Sequence, residues 1–152
     1  RPLGGAVPRH PADGAAGHLM DMFQIMRQMV YVQRLHTLSP ESTRAAEAFE
    51  LATRGGAEMA GIDAGCLIPG KLADIAVVSL QGAHMTPCND PVASLVYCAS
   101  GRDVSLTMVD GRIAYEQGQA QFVDHEKILG DARQYCKDLI QRLNINVPGR
   151  FV

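Results

Sequence analysis

Side chains that could bind a metal or move a proton lie near the beginning of the chain. Asp13 is followed directly by Gly14, and His10 and His18 lie on either side of it. A carboxylate near an imidazole can bind a divalent metal or take a proton from metal-bound water. Asp-Gly is also a common turn dipeptide, and a histidine beside a helix start often only caps the helix or contacts solvent. Both interpretations of Asp13 and His18 are open on the residues alone.

The other metal-binding residue types are spread too widely to complete such a site. None of the five histidines forms an HxH or HxxxH pair with another. The four cysteines contain no CxxC pair, and we expect them to be buried, reduced thiols; they are Cys66, Cys88, Cys98 and Cys136. We therefore predict that this chain alone binds no metal.

Composition and charge argue against two classes of binding partner, nucleic acids and membranes. The chain has 152 residues, of which 47% are apolar and 20% charged, as expected of one globular domain with a hydrophobic core. A net charge of -2 gives no basic surface for nucleic acid, and no segment approaches the roughly 20 apolar residues of a membrane helix. The first 17 residues lack the continuous apolar segment of a signal peptide. With reduced thiols, these features predict a cytoplasmic protein without nucleic-acid or membrane partners.

Two helices are predicted in the first half of the chain. Apolar residues repeat at helical spacing from Leu19 to His36, which leaves Arg27 and Arg34 for the outer face. Ser39-Pro40-Glu41 has the N-cap, proline and acid that begin a second helix. Gly55-Gly56 then predicts its end.

The second half predicts strands followed by a helix. Asp74 to Leu80 is a short β-branched strand, and Val92 to Cys98 is a short helix. The hairpin from Val104 to Tyr115 turns at Asp110-Gly111, a pair that suits a type I′ turn because both residues need a positive φ. Asp124 caps a final helix that carries apolar residues along one side. The order of elements predicts an α+β fold.

Three blocks of sequence, in this order, resemble the C-terminal third of the amidohydrolase superfamily. They are Asp13–Ala16 with His18–Phe23, Ala52–Ala57 with Gly65–Ile75, and Asp90-Pro91 with Val109–Arg112. The branch that looks most similar contains aminohydrolases of nucleobases, adenosyl compounds and triazines. It includes S-adenosylhomocysteine deaminases, 8-oxoguanine deaminases and triazine chlorohydrolases. The resemblance extends from Asp13 to about Gly118.

The resemblance implies the end of a (β/α)8 barrel, part of a small β-sandwich and a C-terminal helix, with most of the barrel absent. We expect an irregular N-terminal arm over residues 1–17 and a helical, barrel-derived segment over 18–64. A β-sandwich-type segment with the Asp-Gly hairpin follows over 65–123, and a C-terminal helix and tail over 124–152. The sequence departs from the family at Pro8 and Pro11, because a central strand leading to the aspartate should contain no proline.

The chemistry that the resemblance implies is metal-assisted hydrolysis. A bound zinc or iron ion lowers the pKa of its water, and the resulting hydroxide attacks a ring carbon that bears an amino or chloro group. Asp13 corresponds to the aspartate that binds the metal and moves the proton, and His18 to a substrate-binding position. The histidine ligands that the family carries upstream of this aspartate do not occur in the sequence.

We predict a fragment of a metal-dependent hydrolase that acts on C–N or C–Cl bonds of nitrogen heterocycles and is inactive alone. Its heterocyclic substrate binds only in the full-length context. The alternative is a repurposed, non-catalytic oligomeric or binding module. Apolar faces and strand edges left open outside a barrel favour a homo-oligomer in either case. A complete metalloenzyme would need ligands that the sequence lacks.

Overall fold

The first helix, α1 (Met22–Thr37), begins at an aspartate. In the computed structural model, which describes residues 20–145, the Asp21 side chain accepts hydrogen bonds from the backbone N–H groups of Phe23 and Gln24. Leu38 ends the helix in the left-handed conformation, with φ 51°. The predicted amphipathic helix is confirmed, and its first turn starts at Met22.

The predicted helix start at Ser39 is wrong. The Ser39 carbonyl accepts a hydrogen bond from the Ser42 N–H, which closes a turn. The Arg34 guanidinium donates to the Thr43 carbonyl at 3.0 Å and holds this turn against α1. Because these contacts fix a non-helical backbone, α2 (Ala45–Glu50) starts later than the capping residues suggest.

The predicted helix end at Gly55-Gly56 is also wrong. The helix widens into a π-helical turn (Leu51–Gly55), continues as α3 (Gly56–Ala60) and ends at Gly61, which has a φ of 68°. Both glycines of the pair have right-handed helical backbone angles, so the positive φ that ends the helix falls to Gly61. Gly65 of the following loop packs against the π turn.

A four-stranded antiparallel sheet forms the second part of the described chain. Its strands follow chain order across the sheet and are β1 (Ile75–Val78), β2 (Val104–Val109), β3 (Arg112–Glu116) and β4 (Gln119–Ala120). The predicted strand and hairpin are confirmed, and β4 was not predicted. Asp110 and Gly111 have φ angles of 49° and 74°, as a type I′ turn requires.

The buried core lies between α1, α2 and α4 (Pro91–Tyr97), the short helix predicted from the sequence. Its buried side chains come from all three helices and are Met26, Val30, Ala48 and Val96. Short 3-10 turns at Ala83–Met85 and Gly101–Asp103 flank α4. The fold is therefore mixed helix and antiparallel sheet, as predicted.

Arg27 and Arg34 do not lie on an outer face, as the helical periodicity predicted. The Arg27 guanidinium donates to the Val96 carbonyl at 3.1 Å and to the Ala99 carbonyl at 2.7 Å. These carbonyls belong to the C-terminal end of α4, where a helix leaves acceptors without partners. Arg34 donates to the Tyr97 hydroxyl at 2.8 Å. Both arginines thus join α1 to α4.

The last described helix is α5 (His125–Arg142). The Asp124 side chain accepts a hydrogen bond from the Lys127 N–H, as the predicted cap requires. None of the residues of α5 is buried, and Tyr135 is 65% exposed. Its predicted apolar side is therefore uncovered by the rest of residues 20–145. No helix in that range is long and apolar enough to cross a membrane.

Candidate functional site

Asp13 and His18, the residues predicted to carry the chemistry, lie outside the described residues. Their predicted roles stay predictions. The described part starts at Met20. The side-chain contacts of Asp21 are therefore the described contacts nearest to His18 in the sequence.

The Asp21 carboxylate joins two elements that are far apart in the sequence. Its Oδ1 accepts hydrogen bonds from Phe23 N at 2.9 Å and Gln24 N at 3.4 Å, which caps α1. Its Oδ2 accepts a third from Gly101 N at 3.0 Å, across 80 residues of chain. Gly101 opens the 3-10 turn that leads into β2. The start of α1 is therefore fixed to the turn that precedes β2.

The same turn contains an aspartate paired with a histidine. The Asp103 side chain is 13% exposed, and its Oδ1 lies 3.1 Å from His84 Nε2. Its Oδ2 accepts hydrogen bonds from Ser100 N at 2.8 Å and Ser100 Oγ at 3.1 Å. Burial raises the pKa of Asp103, but the hydrogen bonds from Ser100 and His84 outweigh this effect and hold the pKa below its ordinary value. The cluster keeps an ionised carboxylate that joins the two 3-10 turns.

Within residues 20–145, no three histidine, cysteine, aspartate or glutamate side chains are grouped so that they could hold a metal ion. The histidines of this range lie on three separate elements: His36 in α1, His84 in a 3-10 turn and His125 at the start of α5. His10, Asp13 and His18 are outside this range, so this observation does not test the predicted metal role of Asp13.

The prediction of buried cysteines is wrong. All four thiols are unpaired, but Cys98 and Cys136 are exposed, and Cys66 and Cys88 are partly exposed. Cys98 lies at the C-terminal end of α4 and Cys136 lies on α5. These elements have uncovered surfaces in the described part of the chain, and an apolar residue type does not by itself reveal which side of an element is covered.

The Gly-Lys-Leu-Ala-Asp block has a structural role in the described fold. Lys71 pairs with Asp63, and this hydrogen bond and charge raise the pKa of Lys71. Asp74 accepts a hydrogen bond from Asp110 N at 2.8 Å, so this residue before β1 contacts the hairpin turn. A shallow depression of about 230 Å³ beside Lys71 is lined by residues of the loop before β1 and by Ile75, the first residue of that strand. It lacks the converging polar groups of a substrate site.

Comparison with known proteins identifies relatives along most of the chain. Residues 9–114 match the family described as "Amidohydrolase family". The 5'-deoxyadenosine deaminase of Methanothermobacter thermautotrophicus is 38% identical over 128 residues, which are 84% of this chain and 30% of that protein. The 5-methylthioadenosine/S-adenosylhomocysteine deaminase of Pyrococcus horikoshii is 34% identical over 118 residues, or 77% of this chain and 28% of that protein. The chain thus spans about 30% of the length of the curated relatives it matches.

Solved structures show the same similarity. An adenosine deaminase from Xanthomonas campestris with bound zinc has a TM-score of 0.76 and 25% identity, over 80% of this chain and 28% of that one. The atrazine chlorohydrolase of Arthrobacter aurescens TC1, complexed with zinc, has a TM-score of 0.62 and 28% identity, over 72% of this chain and 25% of that one. With the family match, which covers more than half of the chain, these similarities establish that the chain belongs to the amidohydrolase family.

Proposed function

We propose that this chain is the C-terminal portion of a zinc- or iron-dependent hydrolase that releases ammonia from the adenine ring of nucleosides. The observation that carries the proposal is the match of residues 9–114 to the amidohydrolase family. It is supported by relatives named as deaminases of 5'-deoxyadenosine and of S-adenosylhomocysteine. A C–Cl bond in a triazine is the second substrate class, since a chlorohydrolase is among the similar structures.

The described fold agrees with this assignment at the level of elements. We place α1 after the last strand of a (β/α)8 barrel and the four-stranded sheet in a small β-sandwich. Several large apolar side chains of α1 and of the residue after it are exposed: Tyr31 by 53%, Leu35 by 75% and Leu38 by 87%. Exposed apolar residues at this spacing form one side of a helix. In the proposed enzyme, the rest of the barrel covers this side.

Asp13 is the one metal ligand that we assign to this chain. A carboxylate suits zinc or iron as one member of a mixed nitrogen and oxygen ligand set. Residues 20–145 do not themselves form a metal site, so the histidine ligands belong to the longer protein. A bound metal ion would supply an activated water near neutral pH. We assign His18 to the substrate side, and we propose that the chain alone is inactive.

The test compares two proteins. The first is the product of the whole reading frame that contains this sequence, and the second is the 152-residue chain. Each is assayed for ammonia release from 5'-deoxyadenosine and S-adenosylhomocysteine, for chloride release from a chlorotriazine, and for zinc and iron content. We expect activity and one equivalent of metal in the long protein only. Stoichiometric metal or turnover in the 152-residue chain would contradict the proposal.

A matched pair of variants isolates the role of Asp13. Asp13→Asn should lower kcat of the long protein by about a hundredfold or more, because it removes an anionic ligand and a proton acceptor. Asp131→Asn changes the same side chain on the exposed α5 and should leave kcat unchanged. Equal activity of the two variants would exclude Asp13 from the site.

The second candidate function is a non-catalytic, homo-oligomeric module. The observation that favours it is the uncovered apolar side of α5, where Ile128 is 50% and Tyr135 is 65% exposed. Self-association would cover such a surface. We further propose a cytoplasmic location, which the four unpaired thiols support. If the reading frame encodes no further metal ligands and its product is a soluble oligomer, the non-catalytic module is favoured over the hydrolase.

A further inference from the structure

We propose that two copies of this chain pair through α5, with the two helices parallel and in register. The inference rests on the self-association proposed above, and it names the surface and the partner. None of the residues of α5 is buried within residues 20–145, although apolar residues recur along one side of the helix. The described part of the chain therefore leaves this side of α5 open for a second helix.

The apolar residues of α5 follow the spacing of a two-stranded coiled coil. In such a pair, the contact residues are separated alternately by three and four positions. In α5 and the residue after it, five residues form this row: Leu129, Ala132, Cys136, Leu139 and Leu143. Larger apolar side chains flank the row, among them Ile128, which is 50% exposed, and Tyr135, which is 65% exposed. The helix thus has a contact row of the kind that a second copy of itself can cover.

The charged residues beside this row favour a parallel orientation. Successive residues of a helix are about 100° apart, so Glu126 and Arg133 lie beside one edge of the row. Lys127, Asp131 and Asp138 lie beside the opposite edge. In a parallel pair, each edge of one helix faces the opposite edge of the other. Glu126 then lies near the partner's Lys127, and Arg133 lies near the partner's Asp131.

An antiparallel pair would bring like charges together. Each edge would face the same edge of the other helix, so that Arg133 would approach the partner's Arg133 when the two apolar rows are aligned. The same alignment places Asp131 near the partner's Asp138. Charge complementarity contributes more to orientation than to affinity. Neutral substitutions at these positions therefore cost little, whereas reversal of a charge disfavours the parallel pair.

Cys136 reports the orientation directly. In a parallel, in-register pair, each contact residue meets its own counterpart, so the two Cys136 thiols face each other. In the antiparallel pair, Cys136 lies opposite the partner's Ala132, and the two thiols are offset by about 6 Å along the axis. A disulfide requires Cα atoms no more than about 7 Å apart. With the separation between the helices added to this offset, only the parallel pair allows the bond.

The first experiment treats the 152-residue chain with oxidised glutathione, which takes up the two protons and two electrons that two thiols release. We expect a covalent dimer in the wild type and in Cys98→Ser, which removes another exposed thiol. Cys136→Ser should form none. Non-reducing electrophoresis and mass spectrometry identify the bond. The absence of a bond between two Cys136 residues would overturn the parallel pairing.

Reversal of charge provides a second test that does not depend on oxidation. Arg133→Asp and Asp131→Arg each place like charges across the pair, and each should weaken self-association by about tenfold. An equal mixture of the two variants should restore it, because their charges are then complementary. Residues two positions apart do not face each other on one helix, so the restoration must come from the partner. Gln141→Asp, on the opposite side of α5, is the control and should change nothing.

The outcomes separate this inference from the functions proposed above. A monomeric chain would refute self-association and the α5 pair together. An oligomer without the Cys136 bond, which the mixture of variants does not restore, would keep self-association but overturn pairing through α5. A monomeric long protein in which Cys136 resists alkylation would show that the rest of that protein covers α5, and this would also overturn the inference. Ammonia release tests the hydrolase assignment separately.

Discussion

At the scale of single residues, Gly65 shows how closely two backbone segments approach each other. A Cβ at this position would lie 2.9 Å from Arg54 Cα and 2.9 Å from the Thr53 carbonyl oxygen. Both atoms belong to the backbone of the π turn and cannot rotate away. Gly65 also has a φ of 81°, which disfavours any residue with a side chain. Only glycine satisfies both conditions.

Gly65→Ala should therefore lower the free energy of unfolding by about 3 kcal/mol or more, from steric overlap and backbone strain together. Gly61→Ala is the control, because Gly61 has a φ of 68° but open space around the missing Cβ. It should cost only about 1 kcal/mol. Urea unfolding followed by circular dichroism measures both. Equal losses would show that the contact with the π turn contributes nothing.

Asp103 should make stability depend on pH in the acid range. Its pKa is lowered in the folded protein, whereas an aspartate in an unfolded chain titrates near about pH 3.9. The stabilisation is therefore fully present above about pH 4 and is lost as the pH falls through the folded-state pKa. The unfolding free energy of Asp103→Asn should change less between pH 5 and 3 than that of wild type. Ser100→Ala, which removes one donor, should be intermediate; identical slopes in all three proteins would refute this assignment.

Residue roles were predictable from the sequence where the contacts are local. Asp124 caps its own helix, and Asp110-Gly111 turns between adjacent strands, so a few neighbouring residues determine each conformation. The bond from Gly101 to Asp21 joins residues 80 positions apart, and no local pattern indicates it. Asp13 and His18 came from the family resemblance and lie outside the described residues.

At the scale of elements, α1 is held by its core residues and also by two side chains that the periodicity assigned to solvent. Arg27 and Arg34 reach carbonyl and hydroxyl groups at the end of α4 and in the turn before α2. Long cationic side chains can extend along a helix surface and satisfy the exposed acceptors of a neighbouring helix end. A helical wheel shows the direction of a Cβ but not the reach of an arginine.

Arg27→Met should remove the hydrogen bonds between α1 and the end of α4 without removing the apolar stem of the side chain. We expect a loss of about 1.5–3 kcal/mol in unfolding free energy, because two carbonyls lose a charged donor. Arg133→Met, on the exposed surface of α5, should change stability by less than about 0.5 kcal/mol. Thermal or urea unfolding compares them, and a similar stability of the two variants would mean that solvent replaces the Arg27 contacts at no cost.

The elements themselves were largely predictable, and the errors have physical causes. Helix, strand and hairpin positions followed from hydrophobic periodicity and turn residues. Ser39-Pro40 failed as a helix start because Arg34 holds the following turn through Thr43. Strand β4 has only two residues, too few to show any periodicity. Gly55-Gly56 remained helical because the π turn and Gly61 changed where the helix ends.

At the scale of the whole molecule, much apolar surface is uncovered in residues 20–145. Leu67 is 76% exposed and Phe122 is 65% exposed, in addition to the apolar sides of α1 and α5. Isolated exposed apolar residues are normal, but grouped ones mark surfaces that contact another chain segment or another molecule. The extent of this surface fits both functions proposed above.

The 152-residue chain should therefore self-associate in solution. Size-exclusion chromatography with light scattering should give at least a dimer, because association covers apolar side chains. The double variant Ile128→Lys with Tyr135→Lys places charges on the exposed side of α5 and should shift the mass towards a monomer. Lys127→Ala with Lys137→Ala is the control on the same helix. A monomeric wild-type chain at high concentration would contradict the expectation.

The π turn at Leu51–Gly55 also determines where this helix can change its length. A π turn closes with i→i+5 hydrogen bonds, so it holds one residue more than an α-helical turn. Deleting that residue would restore i→i+4 bonds and leave α3 close to its present orientation. A deletion from α2, which holds no extra residue, would instead rotate α3 by about 100° around the axis and move Ala57 away from Gly65. The π turn is therefore the place where this helix can lose a residue and keep the contact with Gly65.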